Sequence, residues 1–205
     1  MKKAMIILTV GIVGVLVTTV SSQAQGYIVL DNYDVTPGNL ITYGGGAGGT
    51  LGTGIIGPQW TIGMYYAAGT VPVVLDPAGF ADPLTLGPLT LATGPGATSS
   101  LWPGLPGYFA ATNSFSPPGS AGGETYTFVV VAFNGSTYDT SMIRGHSAGF
   151  TEALSPGIPN GMAQAMPAFS VIGPVPEPTT IALGGLGVSI LLLARRVIAQ
   201  RIVVQ

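Results

Sequence analysis

Hydrophobic positions in this chain fall into three patterns. A long uncharged run lies near each end, and between them short apolar or alternating segments are cut apart by Gly, Pro, Asn and Asp. Seven of these segments read as strands, at residues 27–31, 40–43, 60–67, 71–75, 84–91, 125–133 and 168–172. They are rich in Val, Ile, Tyr, Phe and Thr, which suit a pleated, half-buried surface. Residues 125–128 alternate, as a strand with one exposed face should. The run Phe128-Val129-Val130-Val131-Ala132-Phe133 is apolar throughout and requires cover on both faces. Asn134-Gly135 follows at once, a strong hairpin signal that also outweighs the formal glycosylation sequon Asn134-Gly135-Ser136. Helical periodicity is nearly absent between the terminal runs, with room for one turn at 141–145.

Two stretches read as long loops. Residues 44–57 are mostly Gly with small neighbours, and residues 94–123 are rich in Gly, Pro and Ser around Trp102. Within the second, Trp102-Pro103-Gly104-Leu105-Pro106-Gly107-Tyr108 cannot continue a regular element, because each Pro fixes φ and removes a donor. No fixed-period repeat is present, which argues against a solenoid or propeller. The predicted fold class is mainly β: an antiparallel β-sandwich-like ectodomain with long Gly/Pro loops, flanked by an N-terminal signal helix and a C-terminal transmembrane helix.

The terminal runs read as addresses. Lys2 and Lys3 precede an apolar run over 4–20, and Ser22 and Ala24 stand just ahead of a cleavage point between Ala24 and Gln25. This is the layout of a secretory signal peptide over 1–24, taken by a Sec-type export machinery. At the other end Pro176-Glu177-Pro178 leads into an apolar segment over 179–194 and then Arg195-Arg196. The uncharged run 181–194 reaches about 21 Å as a helix, short of the roughly 30 Å hydrocarbon core, and Gly184, Gly185 and Gly187 loosen it further. Such a span suits a transient hold in the inner membrane, with the basic residues at both ends on the cytoplasmic side.

Pro176-Glu177-Pro178, the short Gly-containing span and the Arg pair, together with the signal peptide, resemble the PEP-CTERM proteins of Gram-negative-type bacteria. The resemblance covers about 30 residues, 175–205, and implies that an exosortase recognises and cleaves the tail. The body, 25–174, is then released to the cell surface or extracellular matrix. Pro176, Glu177, Pro178, Arg195 and Arg196 would be the sorting signal. Tails of that family usually stop soon after the Arg pair, whereas here residues 197–205 follow. The body also loosely resembles ectodomains of that family at 128–135, Gly145-His146-Ser147, Phe150 and 169–172, and this carries no activity with it.

Setting both ends aside changes the charge picture. The chain has a formal charge of −2 and a mean hydropathy of +0.54. Between 26 and 174, however, Arg144 is the one basic residue against seven acids: Asp31, Asp34, Asp76, Asp82, Glu124, Asp139 and Glu152. A body near −6 disfavours polyanions and offers no footprint for nucleic acid. The absence of Cys excludes disulfides and thiol chemistry, and a single His leaves little for metal or acid–base work.

Three motifs in the chain suggest chemistry that this inventory does not support. Gly145-His146-Ser147-Ala148-Gly149 fits a nucleophile elbow, but no His follows the Ser to act as base, so a turn between strands is the better reading. Gly44-Gly45-Gly46-Ala47-Gly48-Gly49 fits a dinucleotide fingerprint, yet Thr50-Leu51-Gly52-Thr53-Gly54 is a poor helix start, and the stretch reads as a loop. Asp31-Asn32-Tyr33-Asp34 offers oxygen ligands too few for Ca²⁺ and reads as a strand-closing turn. No catalytic, cofactor or metal residues are assigned. Trp60 belongs in the core, while Trp102 is left open between core and an exposed sugar-stacking position. The expected function is an exported, non-enzymatic surface or matrix protein. The alternatives are a carbohydrate-binding module retained in exopolysaccharide and a permanently membrane-anchored surface protein.

Overall fold

A computed structural model describes residues 24–33, 39–74, 83–162, 165–174 and 189–190. The residues before Ala24 expected to form a signal peptide, Pro176-Glu177-Pro178, the segment 179–194 except for its two described residues, and Arg195-Arg196 lie outside them. No helix among the described residues is long and apolar enough to cross a membrane.

The described body is built mainly of β-strands joined by turns. In chain order these are β1 (Ile28–Asp31), β2 (Ile41–Tyr43), β3 (Thr61–Ala68), β4 (Thr90–Leu91), β5 (Thr98–Ser100), β6 (Ala110–Phe115), β7 (Thr125–Phe133), β8 (Arg144–His146), β9 (Phe150–Ala153), β10 (Asn160–Gly161) and β11 (Phe169–Val171). One short 3₁₀ turn, Pro83–Thr85, lies between β3 and β4.

The central element is the antiparallel pair β3–β7, in register from Thr61 opposite Phe133 to Ala68 opposite Tyr126. Each outer edge of this pair is covered by two short strands placed end to end. β4 and β5 line β3, while β8 and β9 line β7. Period-two alternation divides the pair between two cores. Ile62, Met64, Phe128, Val130 and Ala132 enter the larger cluster. Tyr65, Ala67, Val129, Val131 and Phe133 enter the smaller one with Leu89 and Tyr138. The solid apolar run is therefore covered on both faces, as its sequence requires. Burying a Phe or Val side chain in this way contributes about 1.5–3 kcal/mol.

The larger cluster also takes Ile28 and Leu30 from β1, Phe115 from β6, Ile41 and Tyr43 from β2, and Phe169 and Val171 from β11. These strands form a three-stranded sheet, β10–β1–β6, and a two-stranded sheet, β11–β2. The sheets are mostly antiparallel, with two departures from the expected pattern. β1 pairs with β10 in parallel, and β2 pairs with β11 in parallel, so early and late strands are joined.

Other expectations are refined. Residues 71–74 form no strand; Val71 and Val73 instead pack on the smaller cluster as irregular cover. The stretch 84–91 is largely turn, with only Thr90–Leu91 extended. The stretch 94–123 contains β5 and β6 rather than loop alone. Asn134-Gly135 does not close a tight hairpin, because β7 reaches β8 through a connection spanning 134–143. The glycine stretch after β2 is a returning limb. Gly52 and Ile55 N–H donate to Tyr43 and Ile41 carbonyls at 2.8 and 3.0 Å, and Tyr43 N–H donates to the Thr53 carbonyl at 2.8 Å.

Candidate functional site

The loop 101–109 is built by its sequence. Trp102-Pro103-Gly104-Leu105 and Leu105-Pro106-Gly107-Tyr108 each place Pro second and Gly third, the signature of a type II turn. Gly104 and Gly107 have φ of +81° and +78°, where that turn needs them. Leu105 N–H donates to the Trp102 carbonyl at 3.3 Å, and Tyr108 N–H to the Leu105 carbonyl at 3.2 Å. Trp102 N–H donates to the Tyr108 carbonyl at 2.8 Å, and Leu101 bridges Phe109, so the double turn closes on itself.

Three anchors hold the loop to the sheets. Asn32, 1% exposed, donates its Nδ2 to the Asn39 and Gly107 carbonyls at 3.0 and 2.9 Å. Its Oδ1 accepts from Phe109 N–H at 2.8 Å. Gly107 N–H donates to the Ile55 carbonyl at 2.8 Å, and Ile41 N–H donates to the Gly107 carbonyl at 3.3 Å. A Cβ on Gly107 would stand 2.6 Å from the Ile41 carbonyl oxygen, so only Gly permits this approach.

This scaffold presents three aromatic rings. Tyr33 lies 4.4 Å from Trp102, with planes 58° apart, and 6.2 Å from Tyr108 in an edge-on arrangement. Trp102 is 42% exposed and Tyr33 49%, while Trp60 is 3% exposed. The expectation for Trp60 therefore holds, and Trp102 stands at the surface.

Beside the rings a cleft of about 500 Å³ runs between Ile56, Gly57 and Pro58 on one side and Ser100, Trp102 and Pro103 on the other. Its far wall is fixed from beneath. The Ile56 carbonyl accepts Trp60 Nε1–H at 3.1 Å and Gln59 Nε2–H at 3.0 Å, while Ile56 N–H donates to the Tyr43 hydroxyl at 3.2 Å. Both walls are thus held by side chains committed to backbone groups.

The motifs singled out from sequence take structural positions. Ser147 is fully buried; its Oγ accepts Val130 N–H at 3.0 Å, and its own N–H donates to the Val130 carbonyl at 2.8 Å. The hydroxyl continues the β7 ladder across the gap between β8 and β9. Nδ1 of the buried His146 lies 2.8 Å from the Ser147 carbonyl, and strands rather than a helix flank the motif. In the glycine stretch, Gly44 N–H donates to the Val171 carbonyl at 2.7 Å, and Gly173 N–H donates to the Gly45 carbonyl at 3.0 Å. Asn32 is consumed by the loop anchor, and Asp34 lies outside the described residues. Among the described residues no three His, Cys, Asp or Glu side chains gather around a metal-sized site. Arg144 is tied locally, its guanidinium 5.1 Å from the Tyr138 ring centroid and Nη1 donating to the Tyr138 and Asp139 carbonyls.

Of the residues assigned to processing, only Ala24 and Gln25 are described. Ala24 is exposed and its carbonyl accepts Gly122 N–H at 2.8 Å, while Gln25 bridges Ala121. Sequence reasoning missed Asn32 as the clamp of the loop. The doubled Pro-Gly was the available signal for the turns. The chain matches no protein-family model, no curated protein and no solved structure.

Proposed function

We propose that this chain is an exported surface or matrix protein, sorted by a PEP-CTERM-like tail and acting without catalysis. On this reading residues 1–24 are a signal peptide for Sec-type export, cut between Ala24 and Gln25. The body 25–174 is the cargo, a β-sandwich-like domain. An exosortase recognises Pro176, Glu177 and Pro178 while 179–194 dwells in the inner membrane and Arg195-Arg196 stay on the cytoplasmic side.

The observation that carries the reading is the order of the tail: Pro-Glu-Pro, a short uncharged span, then paired Arg. Two further features support it. The last strand, β11, lies just ahead of the tail, where a cargo domain should finish. The larger core draws on all three sheets, as two layers closing over one interior would.

The test is replacement of Pro176, Glu177 and Pro178 by Ala in the source cell. Full-length protein should accumulate in the inner membrane, whereas the wild-type chain should appear outside with a mass trimmed at both ends. Unchanged processing of the triple variant refutes the sorting claim.

A further inference from the structure

We propose that Tyr33, Trp102 and Tyr108, with the cleft beside them, form a binding platform for a neutral polysaccharide chain. The inference stands apart from the sorting reading, because it concerns what the body holds rather than how it is delivered.

The first support is how the aromatic polar atoms are used. Inside the body, Trp60 Nε1–H and the Tyr43 hydroxyl are committed to Ile56 backbone groups. At the platform, Trp102 Nε1–H and the hydroxyls of Tyr33 and Tyr108 make no hydrogen bond to any described residue. Trp102 and Tyr33 are thus exposed aromatic surface beside the half-buried Tyr108, and all three keep polar atoms that no described residue engages. A pyranose ring has the matching character, with C–H groups on its faces and hydroxyls around its rim. Tyr and Trp supply this mixture of apolar area and hydrogen-bonding capacity at low rotamer cost.

Charge narrows the ligand class. None of the three rings or the cleft-lining residues is ionic. The body around them carries one base against seven acids, so an acidic polymer would approach against the field. A neutral chain meets no such barrier. The cleft volume of about 500 Å³ falls within the usual range for ligand sites, about 300–1,000 Å³.

Preorganisation is the third support. The loop carrying Trp102 and Tyr108 is fixed by two type II turns, by Asn32 and by Gly107, and the opposite wall by Trp60 and Tyr43. A backbone already held in place loses little freedom when a ligand settles on the rings it carries, which cuts the cost of binding.

The test uses the full chain in mild detergent and pull-down on amorphous cellulose and chitin, with alginate as the anionic comparison. The expected result is retention on at least one neutral polymer and none on alginate. Trp102→Ala should weaken retention about tenfold or more, as loss of a central aromatic anchor does, while Trp102→Phe keeps part of it. A second measurement needs no variant. N-bromosuccinimide should oxidise Trp102 and spare Trp60, and bound polysaccharide should protect Trp102 in peptide mass spectra. Absence of binding to both neutral polymers overturns the proposal, as does binding that Trp102→Ala leaves unchanged. Self-association or capture of a protein through Trp102, without glycan retention, overturns it equally.

Discussion

Asn32 offers the sharpest test of how the loop 101–109 is held. Replacing it by Ala removes two donated hydrogen bonds and leaves Phe109 N–H without its acceptor, in a residue with no solvent exposure. Each lost bond is worth about 1 kcal/mol net, and the stranded donor about 1–3. The Gly107 carbonyl keeps Ile41 N–H and the Asn39 carbonyl is only half-buried, so relief at those two points trims the total. A destabilisation of about 3 kcal/mol follows, or a melting point lower by roughly 6–12 °C for a domain this size. Asn32→Asp separates donor from acceptor. It preserves shape and the acceptor for Phe109 N–H, but points a carboxylate oxygen at two carbonyls. That variant should be at least as unstable as Asn32→Ala at neutral pH. It should recover as acid protonates the buried carboxyl, whose pKa burial and the two carbonyls raise. Thermal melts of the full chain in detergent, read by near-UV circular dichroism, measure both. A loss under 1 kcal/mol for Asn32→Ala, or an Asp variant as stable as wild type at pH 7, refutes the clamp.

Ser147→Ala should cost about 1–2 kcal/mol by stranding the buried Val130 N–H, and a fluorophosphonate probe should leave the folded wild-type Ser147 unlabelled. Denaturant unfolding and mass spectrometry of the probed protein check the two halves. Glu152 carries a pH dependence. Burial raises its carboxyl above the ordinary 4.5, partly offset by a backbone hydrogen bond with Ala153. The folded state therefore holds that proton more tightly than the unfolded chain, and its stabilising contribution is lost as pH rises from 4.5 through the folded pKa. Glu152→Gln should melt higher than wild type at neutral pH, and the two should converge well below 4.5, as paired melts at both pH values will show.

What the sequence revealed depended on whether a residue's own character determined its place. Phe128 to Phe133 could be read as a doubly covered strand because six consecutive apolar side chains leave no face for water. β5, with Thr-Ser-Ser, and β6, with Ala-Ala-Thr-Asn-Ser-Phe, could not, because these edge strands are extended by their partners' backbones. Val71 and Val73 misled in the opposite sense: they are apolar because they cover the smaller core cluster, not because they pair. At the site, Pro103-Gly104 and Pro106-Gly107 encode their turns locally. Asn32 reaches Gly107 and Phe109 across 75 and 77 residues, and nothing near it in sequence announces that. Trp102 was undecidable from sequence because exposure is a property of the assembled loop. Ser147 fitted a catalytic pattern by composition alone, and its environment gives the hydroxyl a ladder position instead.

The parallel pairings of β1 with β10 and β2 with β11 set a timetable for the chain. Ile28 meets Asn160, and Ile41 meets Phe169, so two of the earliest strands wait for two of the latest. A polypeptide threaded from its N-terminus has no complete seat for Ile28, Leu30 and Ile41 until residues near 171 have arrived. Closing loops of that length early is entropically unfavourable and brings no completed core in return. On the export reading proposed above, the chain would cross before these seats are complete and would close its core only once residues near 171 had followed. The strand that completes the Ile41 pairing is β11, which ends at Val171, four residues before the proposed sorting tail begins in the sequence.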